Sequence, residues 1–233
     1  MTKHKVKHKF ISAWDTSAAF LFDFDGVLAN SEPLFRRSWN IALQPWSHEI
    51  SPEDYWKYWS SLGEGLAGEI RRYGLGSIDV PLARERQKNI YEGFVNDGMV
   101  PLFPQSARLL EMLSVDRIAC RWRFCIASNT PCKLIQKILI SGGAPVPMIV
   151  GGDNLEKKPS PDIFLRASSL LDVEPSSALV FEDSQKGVTA AERGGFTSVL
   201  VLNSYNRGLD ISSEFVIDSI QPILDLLTER GLQ

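Results

Sequence analysis

The chain has 233 residues, of which 44% are hydrophobic and 23% charged, values typical of a soluble protein with one large domain or a core and a smaller companion. Its formal net charge of −3 argues against a general nucleic-acid binder, which needs a basic face. The sequence contains no apolar run near the ~20 residues that cross a bilayer, so no membrane partner is expected.

The N-terminal segment, MTKHKVKHKF, is basic and is not followed by the apolar stretch of a secretory signal. We predict a frayed, solvated arm over residues 1–17, with a weak contact to an anionic partner as the alternative. The three cysteines, Cys120, Cys125 and Cys132, are few and odd in number, which favours a reducing, cytoplasmic location. Cys125 lies in an apolar run and is predicted to be a core residue.

Five short apolar runs follow, and polar residues come directly after each of them. The runs do not alternate in polarity, which is typical of strands buried on both faces of a parallel sheet. They cover residues 18–22, 124–127, 147–150, 178–181 and 198–202. Helical patterns lie between the runs, so we predict an α/β fold with a Rossmann-like parallel sheet, helices on both faces and right-handed crossovers.

The helices between the later runs have recognisable ends. After the second run, Thr130 is predicted to cap a helix that has Pro131 in its first turn and stops at Gly142. After the fourth run, Ser184 is predicted to open a helix. The helix between them is predicted to bury one apolar face, made of Ile163, Phe164, Ala167, Leu170 and Leu171.

Residues 33–100 interrupt the alternation of strands and helices, because this interval is longer than one crossover helix requires. Its patterns are helical, and it contains four of the six tryptophans. We predict a helical insert after the first strand, with the tryptophans packed in a small core of its own rather than stacked on a ligand.

The first apolar run ends in two aspartates, Asp23 and Asp25, with Gly26 directly after them. Two carboxylates at the mouth of a hydrophobic core need a cation or a shared proton, and neither has a basic neighbour in sequence. A hard divalent ion such as Mg²⁺ meets this need with oxygen ligands. The alternative is a pair of strand-end residues that only aid solubility.

Acidic, basic and hydroxyl side chains that follow other strands are predicted to lie at the same edge of the sheet, where open α/β folds bind their ligands. Glu182 and Asp183 are predicted to complete an acidic cluster, although they also suit a helix cap. Lys158 supplies a compact positive charge. Ser128 and Asn129, at a helix start, can hold the oxygens of an anion, although Ser128 alone also suits a cap. Together they predict phosphoryl transfer, with Asp23 as nucleophile and Asp25 as acid and base.

Four segments, DFDGVLANSE, IASNTP, KKPSPDIF and VFEDSQKGVTAAERGG, resemble in order and spacing the four motifs of the haloacid dehalogenase-like hydrolases. The resemblance covers the chain outside the N-terminal segment. It is nearest to the phosphatases and β-phosphoglucomutases that carry a helical cap after the first motif.

The resemblance implies a role for each matching residue. Asp23 is the nucleophile, Asp25 the general acid and base, Ser128 a ligand of the transferring phosphoryl group, and Lys158 a stabiliser of its charge. Mg²⁺ is held by Asp23, the backbone carbonyl of Asp25, and Asp183, with Glu182 as a further ligand or an indirect partner. Gly26 and Asn129 are predicted to contact the substrate.

Two positions depart from the family pattern. Asn30 stands where the family often has aspartate, which affects only a turn. Phe35 stands where the sugar-phosphate mutases commonly have histidine, which counts against a mutase. Arg71, Arg72 and Lys88 are predicted to lie on a solvated helix face rather than to bind a second anion.

These patterns predict a Mg²⁺-dependent phosphatase that acts on a small phosphorylated metabolite, such as a sugar phosphate, through an aspartyl-phosphate. A phosphomutase is the alternative, and a dehalogenase or a non-catalytic binding protein is disfavoured by the intact acidic cluster. The predicted divisions are a basic arm at 1–17, an α/β core at 18–32 and 101–233, and a helical cap at 33–100. A monomer or small homo-oligomer is expected.

Overall fold

The computed structural model describes residues 3–115 and 121–229. In this part of the chain, six parallel strands form one sheet in the order β3-β2-β1-β4-β5-β6. The strands are β1 Ala19–Phe22, β2 Arg123–Ala127, β3 Ile149–Val150, β4 Ala178–Glu182, β5 Thr197–Val201 and β6 Phe215–Ile217. The predicted α/β fold with a parallel sheet is therefore confirmed.

Helices surround the sheet and fill the interval after β1. They are α1 Lys3–Thr16, α2 Glu32–Leu43, α3 Pro52–Asp54, α4 Gly65–Tyr73, α5 Val80–Asn96, α6 Ser106–Leu113, α7 Cys132–Ser141, α8 Asp162–Leu171, α9 Gln185–Arg193 and α10 Gln221–Glu229. A π-helical segment, Tyr55–Ser61, continues α3. The predicted apolar face of α8 is buried except at Leu170, which is 43% exposed.

The first strand separates two hydrophobic layers because successive side chains point to opposite faces of a sheet. Phe20 and Phe22 pack into the larger cluster, on the side of α1, α6 and α7. Ala19 and Leu21 pack into the smaller one, on the side of α8 and α9. All four are fully buried, so β1 lies at the centre of the molecule and its carboxyl end is held rigidly.

The N-terminal segment is not a frayed arm, and that prediction is wrong for the described residues. Lys3–Thr16 form helix α1. Phe10 and Trp14 are buried one helical turn apart, and Trp14 stacks on Phe20 of β1 with the ring centroids 3.9 Å apart. The basic residues dominate the composition of this segment, but two aromatic side chains at i and i+4 are enough to dock the helix on the sheet.

The interval between β1 and α6 is helical and has a hydrophobic cluster of its own. Trp39, Leu43, Tyr55 and Trp59 are buried in this cluster, and Trp46 and Trp56 pack against it. The four tryptophans thus belong to a small core as predicted, although Trp39 and Trp59 also line the cavity described below. We refer to Glu32–Asn96 as the helical insert; its division from the rest as a separate cap domain stays a prediction.

Two chain segments join the insert to the core, and they are hydrogen bonded to one another. The backbone N–H of Asn30 donates to Pro101 (2.9 Å), and that of Phe103 donates to Leu28 (2.9 Å). Ala29 and Leu102 form an antiparallel bridge between these bonds. We call this pair of segments the connecting strap.

Over the described part of the chain, each helix is too short or too polar to span a bilayer. Cys125 is fully buried in the core as predicted, and burial raises the pKa of its thiol to about 12. Cys120 lies outside the described residues. The predicted cytoplasmic location stays a prediction.

Candidate active site

A cavity of about 730 Å³ lies between the carboxyl edge of the sheet and the helical insert. This is the edge at which parallel α/β sheets place their ligand sites. Seven of the eight predicted site residues line the cavity: Asp23, Asp25, Ser128, Asn129, Lys158, Glu182 and Asp183. Segments that are far apart in sequence therefore meet at one place, as the motifs require.

Lys158 is the buried cation of this site. Its ammonium nitrogen Nζ donates to Asp23 Oδ1 (2.5 Å), to Glu182 Oε1 (2.6 Å) and to the carbonyl of Ala127 (2.9 Å). Burial alone would lower the pKa of Lys158, but the negative charges of Asp23 and Glu182 outweigh burial and raise it above its ordinary value. Lys158 is therefore charged, and it is locked between two carboxylates with all three donor positions used.

The carboxylates outnumber this single cation. Burial, together with the charges of Glu182 and Asp25, raises the pKa of Asp23 to about 8 despite the opposing effect of Lys158. Burial and the charges of Glu182 and Asp23 likewise raise the pKa of Asp183 well above its ordinary value. The protein alone thus leaves the negative charge of this cluster incompletely balanced.

Asp25 lies next to this cluster and is held by hydroxyl groups. Oδ1 accepts a hydrogen bond from Ser31 (2.5 Å), and Oδ2 accepts from Thr130 (2.6 Å) and from Ser128 (3.1 Å). Three donors from two loops fix the direction in which this carboxylate points. Ser128, predicted to bind a phosphoryl group, therefore also contacts the predicted acid and base.

The expected helix cap at Thr130 is wrong. Helix α7 begins at Cys132, with Pro131 at the capping position rather than in the first turn, and Thr130 Oγ1 donates to Asp25. Asp153 Oδ2 instead accepts from the Cys132 backbone N–H (3.0 Å). Thr130 is thus a site residue that the sequence-based prediction missed. Its position two residues after Ser128 could have indicated this role.

Asn129 has a structural contact within the site. Its side-chain oxygen Oδ1 accepts a hydrogen bond from the backbone N–H of Lys158 (3.1 Å). Asn129 therefore helps to position the loop that carries the lysine, while the residue also lines the cavity. Lys157 is exposed, as expected for a solvated neighbour.

Glu182 and Asp183, at the end of β4, are held differently. Glu182 Oε2 accepts from the backbone N–H groups of Asp183 (3.0 Å) and Ser184 (3.3 Å) and from the Ser184 hydroxyl (3.0 Å). Because Oε1 accepts from Lys158, both oxygens of Glu182 already have protein donors. Ser184 also caps α9 as predicted, through Gly187 N–H (3.2 Å).

Asn203 is a second residue that sequence analysis did not single out. It follows β5, and its amide Nδ2 donates to Asp183 Oδ2 (2.9 Å) and to the backbone carbonyl of Gly26 (3.0 Å). Asn203 ties the loop after β1 to the loop after β4. Its position directly after a strand could have indicated that it belongs to the site.

Asp23, Glu182 and Asp183 form a candidate metal centre. One carboxylate oxygen from each lies within 4.8 Å of the others. Gly26 leaves room for this cluster: its φ is +81°, and a Cβ there would lie 1.8 Å from Asp183 Oδ2. A buried, oxygen-only donor set with excess negative charge fits a hard divalent cation. Gly26 thus contacts Asp183 rather than the cavity.

The other candidate anion-binding residues are paired within the insert. Arg72 donates to Glu64 and to Glu69, and Lys88 Nζ lies 3.9 Å from Glu92 Oε1. Arg71 lies in the last turn of α4. Lys88 also lines the cavity and Arg72 is half-buried, so the expectation of a solvated helix face stays a prediction.

Comparison with known proteins identifies the family. The sequence model of the haloacid dehalogenase-like hydrolases matches residues 18–195. The chain belongs to this family. The predicted family is confirmed, and with it the predicted enzyme class, a hydrolase of the haloacid dehalogenase-like type. The match includes all eight predicted site residues and the whole helical insert.

Three curated relatives of this hydrolase are named for different activities or genes. Protein CbbY of Rhodobacter capsulatus is 30% identical over 84% of this chain and 89% of its own length. The β-phosphoglucomutase of Mycobacterium bovis is 26% identical over 87% of each chain. The phosphoglycolate phosphatase of Shigella sonnei is 27% identical over 91% of each chain.

A solved structure has the same architecture. A mutant of CbbY from Rhodobacter sphaeroides, in complex with xylulose-(1,5)bisphosphate, superposes with a TM-score of 0.73. The two sequences are 26% identical over 87% of this chain and 94% of that one.

Proposed function

We propose that this hydrolase is a Mg²⁺-dependent phosphatase that cleaves a small phosphorylated metabolite through an aspartyl-phosphate. The observation that carries the proposal is the pairing of two differently held aspartates in one cavity. Asp23 is bound to the Lys158 ammonium, and Asp25 is bound by three hydroxyl groups. In this proposal Lys158 favours the charged, attacking form of Asp23 against the effect of burial, and the hydroxyl groups orient Asp25 for proton exchange.

In the first step, a carboxylate oxygen of Asp23 attacks phosphorus while the bond from phosphorus to the ester oxygen breaks. Asp25 gives a proton to that leaving oxygen, so that it departs as an alcohol. Lys158 offsets negative charge on Asp23 and on the phosphoryl oxygens, and Ser128 orients the phosphoryl group. The product of this step is the alcohol and an aspartyl-phosphate at Asp23.

In the second step, Asp25 takes a proton from a water molecule, and the oxygen of that water attacks phosphorus. The bond between phosphorus and the Asp23 oxygen breaks, which restores the carboxylate and releases inorganic phosphate. The hydroxyl groups of Ser31 and Thr130 keep the Asp25 carboxyl group aimed at the same point through both steps.

Asp23 and Asp183 are the residues we infer to hold Mg²⁺, with Glu182 beside them holding Lys158 in place. The bound ion would neutralise the excess carboxylate charge and withdraw charge from the phosphoryl oxygens. Asn203 and Gly26 fix the orientation of Asp183.

The helical insert supports a small substrate. It covers the carboxyl edge of the sheet and contributes Glu32, Trp39 and Tyr91 to the cavity wall. A covered cavity of about 730 Å³ suits a sugar-phosphate-sized molecule better than a phosphorylated protein segment. The phosphatase name of one relative and the bisphosphate in the CbbY structure agree with this substrate class.

A phosphomutase is the second candidate, because one relative carries the name β-phosphoglucomutase. Phe35, which packs edge-on against Tyr91, disfavours it, since a phenyl ring cannot exchange a proton with a sugar hydroxyl. Incubation with hexose 1-phosphates separates the candidates: a phosphatase releases inorganic phosphate, and a mutase forms an isomeric phosphate ester.

The substitution Asp23→Asn tests the mechanism. The amide cannot attack phosphorus as a carboxylate does, so we expect hydrolysis of an aryl phosphate with Mg²⁺ to fall by at least about a thousandfold. The matched control is Asp153→Asn, which changes a carboxylate at the same edge whose hydrogen bond among the described residues goes to the Cys132 backbone N–H. Equal rates for Asp23→Asn and the parent enzyme would exclude an aspartyl-phosphate at this residue.

A further inference from the structure

The wall that the helical insert contributes to the cavity contains two buried hydrogen-bond donors that the protein does not use. Tyr91 of α5 is 3% exposed, and its hydroxyl makes no hydrogen bond within the described part of the chain. Trp39 of α2 is 7% exposed, and its indole N–H also has no partner among those residues. Both side chains line the cavity. An unpaired buried donor is unfavourable, so a ligand that supplies acceptors at this wall would gain hydrogen bonds that the protein leaves open.

Tyr91, Glu32 and Asp25, the proposed acid and base, line the same cavity. Burial raises the pKa of Tyr91, and the charges of Asp25 and Glu32 raise it further. Ser31 is also near, but it donates to Asp25 and makes no hydrogen bond of normal geometry with Tyr91. Phe35 packs edge-on against the Tyr91 ring, with the centroids 4.9 Å apart, and fixes it.

Glu32 supplies an acceptor in the same region. The residue lines the cavity, and its carboxylate accepts a hydrogen bond from the Tyr55 hydroxyl. Burial, followed by the charge of Asp25, raises the pKa of Glu32, although Lys186 opposes this. Its charge is thus only partly balanced, and a ligand group that donates a hydrogen bond would be favoured there.

A neutral hydroxyl group is the chemistry that satisfies both residues, because it accepts from a phenol and donates to a carboxylate at once. An anionic group next to the Tyr91 hydroxyl would face the charges of Asp25 and Glu32. Arg84, Lys88 and Lys186 also line the cavity, so this repulsion concerns the group next to Tyr91 and not the whole ligand. The leaving oxygen of the substrate must lie next to Asp25 if that residue protonates it. The group that meets Tyr91 is therefore close to the scissile ester.

We propose that Tyr91, with Glu32 and Trp39, forms a subsite for a hydroxyl group near the scissile ester, so that the leaving alcohol of the substrate carries a second, neutral hydroxyl group close to the ester oxygen. This inference rests on the proposed function and names its substrate class. Tyr91 binds substrate in this proposal and takes no part in proton transfer.

The substitution Tyr91→Phe isolates the hydroxyl, because phenylalanine keeps the ring and its contact with Phe35. We expect kcat/KM for glycerol phosphate and hexose phosphates to fall about tenfold. Hydrolysis of 4-nitrophenyl phosphate, which has no hydroxyl group, should change by less than about twofold. The thermal midpoint should stay the same or rise, since the variant removes an unpartnered buried donor.

Tyr73→Phe is the matched control, because it makes the same chemical change at an insert tyrosine whose hydroxyl contacts only Asp54. We expect it to leave the ratio of the two activities unchanged. An equal loss of both activities in Tyr91→Phe, or no loss of either, would overturn the subsite. A lower thermal midpoint accompanied by a matching loss of both activities would also overturn it, because Tyr91 would then be structural.

A second comparison tests the neutral character of the ligand with the parent enzyme alone. We expect higher kcat/KM for glycerol phosphate than for 2-phosphoglycolate, whose carboxylate would lie near Glu32. The reverse preference would overturn the subsite while leaving the phosphatase intact. If the parent enzyme hydrolyses none of these esters, the proposed function fails, and the subsite fails with it.

Discussion

At the scale of single residues, Gly26 shows how closely the loop after β1 approaches the acidic cluster. Its φ of +81° lies in the left-handed region, and its backbone carbonyl accepts from Asn203. The space where a Cβ would lie is filled by the Asp183 carboxylate. Glycine is thus required at this position for two reasons. The backbone has a positive φ, and the Asp183 carboxylate leaves no room for a Cβ atom.

The substitution Gly26→Ala should disable the site more than it disturbs the fold. A Cβ at 1.8 Å from Asp183 Oδ2 must displace that carboxylate, so we expect phosphatase activity to fall at least about a hundredfold. Steady-state kinetics with an aryl phosphate, together with urea unfolding, measures both effects.

Gly74→Ala is the control for backbone strain. Its φ is +67°, and nothing lies within 4 Å of the added Cβ. We expect a loss of about 1 kcal/mol in the free energy of unfolding and nearly full activity. Equal activity losses in the two alanine variants would show that strain, and not contact with Asp183, is responsible.

The charged site residues and Ser128 and Asn129 were predicted from the sequence, but Thr130 and Asn203 were not. Asp23, Asp25, Lys158 and Asp183 each follow a strand or stand in a distinctive motif. Thr130 lies 105 residues from Asp25 in sequence and has the ordinary appearance of a helix-start residue. Hydroxyl and amide side chains satisfy so many local roles that spacing alone does not reveal a distant partner.

At the scale of elements, the docking of α1 is the main departure from expectation. Trp14 is fully buried, and it contacts Trp122 as well as Phe20. We expect Trp14→Ala to lower the free energy of unfolding by about 3–5 kcal/mol, because it leaves a large cavity beside β1. Urea unfolding measures this change. Activity per folded molecule should stay close to that of the parent enzyme.

Lys9→Ala, at an exposed position of the same helix, is the control and should change stability by less than about 0.5 kcal/mol. A Trp14→Ala variant as stable as the parent would mean that the segment is the solvated arm the sequence suggested.

Strand β6 was also not predicted, and its burial explains why. It has three residues, of which Phe215 and Ile217 are buried and Val216 is 46% exposed. A short edge strand with one face in solvent lacks the continuous apolar run that identified the central strands. Strand β3, predicted over four residues, is only two residues long.

At the scale of the whole molecule, we expect the acidic cluster to couple stability to Mg²⁺. Of its four carboxylates, those of Asp23, Asp25, Glu182 and Asp183, only Asp23 and Glu182 pair with Lys158 in the described part of the chain. We expect Mg²⁺ at about a hundred times its Kd to raise the thermal midpoint by about 5–10 °C, because the ion binds the folded state alone. Differential scanning fluorimetry with Mg²⁺ and with a chelator measures the shift.

The variant Asp183→Asn should lose this shift, while Asp153→Asn should retain it. A shift of the same size in both variants would place the ion elsewhere.

The general plan of the molecule followed from the sequence, but the shape of the cavity did not. Strand and helix patterns predicted a sheet with an insert, and the four motifs indicated which edge carries the site. Tyr91 and Trp39 lie on insert helices whose packing depends on long-range contacts, so sequence periodicity could not show which of their faces meets the ligand.

The connecting strap links the position of the insert to the orientation of Asp25, the proposed proton donor. The N–H of Gly26 donates to the carbonyl of Ala29 (2.8 Å), and Ala29 is bridged to Leu102 on the returning segment. Because the two segments are hydrogen bonded to each other, we expect a tilt of the insert to move the loop that holds Asp25 as well. In the proposed mechanism, closure of the insert and alignment of Asp25 would then be a single conformational event, and an open insert would leave the aspartyl-phosphate poorly placed to react with bulk water.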